Sequence, residues 1–351
     1  MRFPRFVFLY CLIFLLAASR ACYATESDVT KTPVPLVQDG RLTIETAAGS
    51  GIVPVHVTRD WDSPQPDVTR VLIVIHGWPR RDLRAGAYAA SKAGVEGTHT
   101  MVITPQFLTA VDVAAHDLSP LTLRWGRDEW HAGYDALDPA PISSFAVIDT
   151  IFKRLANRTV FPNLQQVVLA GHSAGGQFVQ RYAAVGRGDS ALIAQGIHIR
   201  YVVANPSTYL YFNDKRPVAD GGFARPDKLM CKDYDRWNFG LGSKLPPYIE
   251  QPVSVAAIER TYLARDIVYL LGTADNDPTV DGMDTRCGAE AQGPTRYTRG
   301  LAYFRYLSTL GPKRPNQRLM EVPGVAHHSD QMYSSACGLK ALFDIGPCEP
   351  Y

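Results

Sequence analysis

Val167-Val168-Leu169-Ala170-Gly171-His172-Ser173-Ala174-Gly175-Gly176 decides how this chain is read. The four apolar residues predict a buried strand, Gly-x-Ser-x-Gly predicts a tight turn, and residues 177–184 predict the helix that leaves it. Such a strand–turn–helix holds the serine backbone in a strained conformation and aims its hydroxyl outward. Gly171 and Gly175 are required there because a Cβ at either position would strike neighbouring backbone. The helix directs free N–H groups and the positive end of its dipole toward the place where an oxyanion would form.

A serine nucleophile needs a base to take its proton and an acid to orient that base. The strand at 267–271 ends in Gly272-Thr273-Ala274-Asp275, which puts a carboxylate just past its carboxyl end. The strand at 318–322 runs into Pro323-Gly324-Val325-Ala326-His327 and does the same for an imidazole. Ser173, Asp275 and His327 are therefore the expected catalytic set, in the order Ser, acid, His. Asp277 and His328 are the rival acid and base; Asp275 is preferred on reach from the strand end and His327 on its Gly-x-x-His turn. The expected oxyanion donors are the backbone N–H groups of Ala174 and Trp78. Trp78 lies in His76-Gly77-Trp78-Pro79, where Pro79 has no N–H to give. His172 points away from the serine that follows it, so it is expected to pack beside the nucleophile or bond a neighbouring loop rather than act as base.

Helical and strand patterns alternate, which predicts an α/β fold with a mostly parallel sheet and helices on both faces. Segments 42–46 and 53–58 read as an opening antiparallel pair, with further strands at 71–75, 101–104 and 201–204 and helices at 144–157 and 296–310. Two connections, 106–141 and 205 to about 261, are too long to be simple loops and leave the carboxyl ends of strands, where open α/β sheets bind ligands. They are expected to form a lid or pocket walls, most of their aromatics packing the insertion against the sheet.

Residues 1–24 read as a cleaved export signal: Arg2 and Arg5, an apolar run at 6–18, then Cys22-Tyr23-Ala24 with small residues at the cleavage-determining positions. Ser19-Arg20-Ala21 offers a second cut. The apolar run is too short to span a bilayer comfortably, and no later segment approaches the required length. The full chain has 36 Lys and Arg against 34 Asp and Glu; the leader holds three arginines and no acid, leaving 33 against 34, a net charge of −1. With no basic tract, nothing suggests a nucleic-acid partner. The remaining residues 25–351 are expected to form one domain. Four cysteines remain, and an even set in an exported chain suggests two disulfides; of three connectivities, Cys231–Cys287 with Cys337–Cys348 is favoured. A metal site lacks any Cys-x-x-Cys pair.

On His76-Gly77, Gly171 to Gly175, Gly272 to Asp275 and Gly324 to His327, the chain resembles the α/β-hydrolase superfamily over most of residues 40–345. More loosely it is similar to exported bacterial serine hydrolases with a long insertion after the sixth strand, among them esterases, lipases, polyester depolymerases and some amide hydrolases. The resemblance implies an eight-stranded core with one antiparallel strand near its start and a lid or cap at about 206–262. It also implies that Ser173 attacks an acyl carbonyl, with His327 as base, Asp275 holding the imidazole, and Trp78 and Ala174 holding the oxyanion. Water would then release an acyl-enzyme, with no cofactor. The leading reading is a carboxylic ester hydrolase acting on a small-molecule or polymeric acyl substrate. The alternatives are an amide or peptide hydrolase with the same triad, and an inactive binding protein on this fold. The charges in the insertion favour a soluble or polar-polymer substrate over bulk lipid. The expected location is periplasmic or secreted. Intact-mass measurement of the exported protein is expected to find residue 25 or residue 22 at its start; an uncut leader would overturn the signal reading.

Overall fold

In a computed structural model, the described residues are 31–280, 282–311 and 316–349; the expected signal segment lies outside them. Eight strands form one sheet: β1 (Gly40–Thr46), β2 (Gly49–Val57), β3 (Arg70–Ile75), β4 (Thr100–Pro105), β5 (Gln166–His172), β6 (His198–Ala204), β7 (Asp266–Gly272) and β8 (Gln317–Val322). Their order is β1-β2-β4-β3-β5-β6-β7-β8. β2 pairs antiparallel with both neighbours, and all other pairs are parallel, so a single strand runs against the rest. Burial follows position. The edge strand β1 alternates, with Leu42 and Ile44 inward and Arg41 and Thr43 exposed, whereas every residue of β4 is buried.

Two cores cover the two faces. Leu72, Val74, Val168, Ala170, Val202, Val268 and Leu270 pack under α1 (Ala85–Lys92) and, from the C-terminal region, α6 (Ser329–Ser334) and α7 (Ala336–Phe343). Ile73, Leu169, Val203 and Leu271 pack against α2 (Ser144–Leu155), α3 (Ala174–Val185) and α5 (Arg296–Leu310), with Tyr262 of α4 (Val255–Ala264) beside them. α2 starts where Ser143 Oγ accepts the Phe145 N–H, and α5 where Thr295 and Thr298 form a reciprocal cap. The sequence reading places α2 and α5 but not α1. That helix is built from Ala and Gly, its closeness to the sheet needs small side chains, and a Cβ on Gly86 would strike Val74.

The insertion at 205–261 is mostly core at its start. Tyr209 stacks on Tyr303 at 4.5 Å and Tyr211 meets Tyr306 at 4.4 Å. These aromatics pack the insertion down, as expected of most of them. Beyond them comes a two-stranded turn, Arg216–Pro217 with Phe223–Ala224. The disulfides are Cys231–Cys287 and Cys337–Cys348, the favoured pairing; the first ties the insertion to the segment after β7. No helix among the described residues is long and apolar enough to cross a membrane.

The elbow is the tightest point. A Cβ on Gly171 would collide with the Gly175 carbonyl, and one on Gly175 with the Ile75 carbonyl at the end of β3. Gly171→Ala is expected to cost about 3 kcal/mol in urea unfolding. Gly311→Ala, whose Cβ meets nothing within 4 Å among the described residues, should stay within about 0.5 kcal/mol of the parent.

Candidate active site

β5 delivers Ser173 to the turn, and its backbone adopts φ 60° and ψ −122° as it caps α3. For a residue with a Cβ this is a strained conformation. It is held because the Ser173 N–H donates to the Ala204 carbonyl at 3.0 Å, fastening the turn to the end of β6. Ser173 lines a cavity of about 370 Å³ together with Trp78, Ala174, Gln177, Ser207, Arg127, Asp128, His131 and residues 282–286.

The loops after β7 and β8 are joined by backbone bonds: Thr273 N–H to the Val322 carbonyl and Ala274 N–H to the Val325 carbonyl, at 3.1 and 3.0 Å. Thr273 Oγ1 also accepts from the Gly324 N–H. This pairing sets His327 Nδ1 at 2.6 Å from Asp275 Oδ2. Asp275 is buried, and its Oδ1 lies 3.4 Å from Arg296 Nη1. Burial holds the His327 imidazole below its ordinary range; the Asp275 hydrogen bond opposes this, and the Arg296 charge adds to it. Asp275 and His327 are thus brought together. Among the described residues, Ser173 Oγ makes no hydrogen bond to His327.

The rivals stand elsewhere. Asp277 is exposed, and its Oδ1 accepts the N–H and hydroxyl of Thr279. His328 is exposed at the start of α6. His172 packs against His327, ring centroids 4.4 Å apart, with Nε2 buried and without a partner among the described residues. Burial keeps its imidazole well below the ordinary range.

Trp78 and Ala174 both face the cavity, and neither N–H donates to a protein acceptor among the described residues. The loop bearing Trp78 is pinned from two sides. His76 Nδ1 donates to the Gly77 carbonyl at 2.9 Å, and Nε2 accepts the Phe107 N–H at 3.0 Å. This fixes the neutral tautomer, and burial pushes the imidazole down to about 4. Two residues beyond Trp78, Arg80 has φ 62° and forms a buried ion pair with Asp112, Nε to Oδ2 2.9 Å. His76-Gly77 is therefore more than a strand end, since the histidine locks the 76–80 loop to the 106–112 segment.

Sequence reasoning missed three supports: Arg296, the Arg80–Asp112 pair, and the buried Arg181. Arg181 donates to His131 Nδ1 and to Gln177 Oε1, each at 2.9 Å. Beside them sits Asp128 on the cavity wall. Burial acts to raise its carboxyl, but His131 and the guanidiniums of Arg286 and Arg127 hold it down at about 2. Nothing local in the sequence marks these residues, because Asp275, Asp112 and His131, which they bond, lie 21, 32 and 50 positions away.

The sheet order, the single reversed strand and the serine elbow define an α/β-hydrolase fold, and solved structures bear this out. The chain is similar to poly(aspartic acid) hydrolase-1 from Sphingomonas sp. KT-1, with TM-score 0.56 and 22% identity over 87% of this chain and 99% of that one. It is also similar to LpqC, a poly(3-hydroxybutyrate) depolymerase from Bordetella parapertussis, with TM-score 0.58 and 18% identity over 89% of this chain and 92% of that one. No family model matches the chain, and no curated protein matches it.

Because His76 is held neutral, folded and unfolded states bind protons differently between its ordinary 6.5 and about 4. Its folded value is the lower one, so the unfolded chain gains the proton first and stability is lost as pH falls through that window. The unfolding free energy is expected to drop on acidification from pH 6.5 to 4. His76→Gln should remove on the order of 3 kcal/mol of that drop; an unchanged slope would refute it.

Proposed function

We propose that this protein is a serine hydrolase that cleaves carboxylic esters through an acyl-enzyme. The observation that carries the reading is the His327–Asp275 hydrogen bond of 2.6 Å beside a strained serine at the head of α3. In this reading His327 takes the Ser173 proton as the hydroxyl attacks the acyl carbonyl. Asp275 holds the ring through Nδ1 and stabilises the imidazolium, leaving Nε2 as the base. The N–H groups of Trp78 and Ala174, with the dipole of α3 behind the latter, stabilise the oxyanion. His327 returns the proton to the leaving alcohol, then activates water to release the acid and regenerate Ser173.

The cavity wall supports a polar substrate over a fatty acyl chain: Arg127, Asp128, Gln177, Ser207, Asp284 and Arg286 all line it. Both similar structures are named for the degradation of polymers, poly(aspartic acid) and poly(3-hydroxybutyrate), which supports a polymeric acyl substrate. The two disulfides are consistent with the proposed export.

A fluorophosphonate is expected to label Ser173, with labelling abolished in Ser173→Ala. On an activated ester, His327→Ala and Asp275→Asn should lose about 10³-fold or more in kcat/KM. Asp277→Asn and His328→Ala should stay within about threefold of the parent. Only the neutral imidazole is a base, and its value is lowered, so the acid limb of kcat/KM is expected below pH 6.5. Equal losses at Asp277 or His328 would reassign the acid or base. A matched ester and amide pair separates the two hydrolase readings, and a folded protein that binds but never labels would favour the inactive alternative.

A further inference from the structure

Arg296, at the first position of α5, is as buried as the acid it faces: both side chains are 1% exposed. Its guanidinium uses all three nitrogens. Nη1 lies 3.4 Å from Asp275 Oδ1, Nε donates to Ser207 Oγ at 3.1 Å, and Nη2 donates to the Gly282 carbonyl at 2.8 Å. Ser207 opens the insertion, Gly282 belongs to the segment after β7, and both line the Ser173 cavity. One turn on, Arg299 donates to the Ser207 and Asp284 carbonyls at 2.8 and 3.0 Å, holding the same two walls. Asp275 therefore has one carboxylate oxygen on the imidazole and the other on a cation bonded to the substrate cavity.

We propose that Arg296 is a positioning residue that couples the Asp275–His327 pair to the substrate cavity, fixing the carboxylate plane and opposing protonation of His327. This rests on the triad reading above. A planar fork with donors in fixed directions can hold a carboxylate, a hydroxyl and a carbonyl at once. A guanidinium keeps its charge even when buried, so the positive field on the imidazole is permanent. Removing that charge makes the imidazolium easier to form in two ways: a like charge is lost, and the Asp275 carboxylate acts on the ring unopposed. The other ionisable groups facing His327 are His172, His328 and Asp82. His172 is buried and neutral and Asp82 carries the opposite sign to Arg296, so neither replaces its effect; a charge on His328 acts in the same direction as Arg296, but it is the same in every variant and leaves the difference between them to Arg296.

The test is a set of NMR pH titrations of His327 in the parent, Arg296→Gln and Arg296→Lys, with the rate of fluorophosphonate labelling of Ser173 followed across the same range. Thermal unfolding checks that each variant is folded. Arg296→Gln is expected to raise the His327 midpoint by about one pH unit and to slow labelling roughly ten- to hundredfold. Arg296→Lys keeps the charge but not the fork, so its midpoint should stay near the parent's while labelling slows at least about threefold. A folded Arg296→Gln with parental midpoint and rate overturns the proposal. Should that variant not fold, parental labelling by Arg296→Lys overturns it instead. If the folded parent leaves Ser173 unlabelled, the triad reading falls, and the His327 midpoints alone still decide the role of Arg296.

Discussion

At the turn from β5 into α3 the backbone of one segment rests directly on that of its neighbours. A Cβ at Gly171 would enter the Gly175 carbonyl, and one at Gly175 would enter the Ile75 carbonyl. This contact draws the first turn of α3 onto the ends of β3 and β6 and forces Ser173 to a positive φ. Everything in the candidate site is measured from it. Ala174 lines the cavity because α3 begins there, and the 76–80 loop approaches because β3 ends beside it.

The segments around the elbow are tied together in a way that repeats. Each carries a buried ionic or imidazole group with at least one hydrogen bond to another segment. His76 bridges the Gly77 carbonyl and the Phe107 N–H, Asp112 accepts from Arg80 and Thr109, and Arg181 gathers His131, Gln177 and Thr208. Buried charges and polar groups are costly when unpaired, so such networks tolerate few alternative arrangements. The strained serine is held among loops that cannot easily relax around it.

The insertion is held down along its length. Its first residues are aromatic core, stacked on α5, and farther on Trp237, Tyr248 and Ile249 are also buried, while Cys231–Cys287 fastens it to the segment that carries Arg286 on the cavity wall. The insertion itself gives the cavity Ser207, and the charged lining comes from Arg127, Asp128, Asp284 and Arg286 on the segments beside it.

The fold was legible in the sequence because its cues are local. Alternating patterns mark the strands, and Gly171, Ser173 and Gly175 mark a turn that no bulky sequence could make. Asp275 and His327 follow from chain order once strand ends are known, and β7 and β8 lie side by side to deliver them. The helix α1 was not legible, since its Ala and Gly give no apolar period. Nor were Arg80, Asp112, Arg181 and Arg296: an isolated arginine in a sequence reads as a solvated charge, and only tertiary packing supplies its partner. The sequence by itself determined the sheet and the elbow and set a preference for Asp275 and His327, all of which depend on local geometry. Tertiary structure alone decided that Asp275 and His327 bond each other while Asp277 and His328 stand exposed, and which cations lie behind them, because those contacts form between segments that meet only after the sheet is assembled.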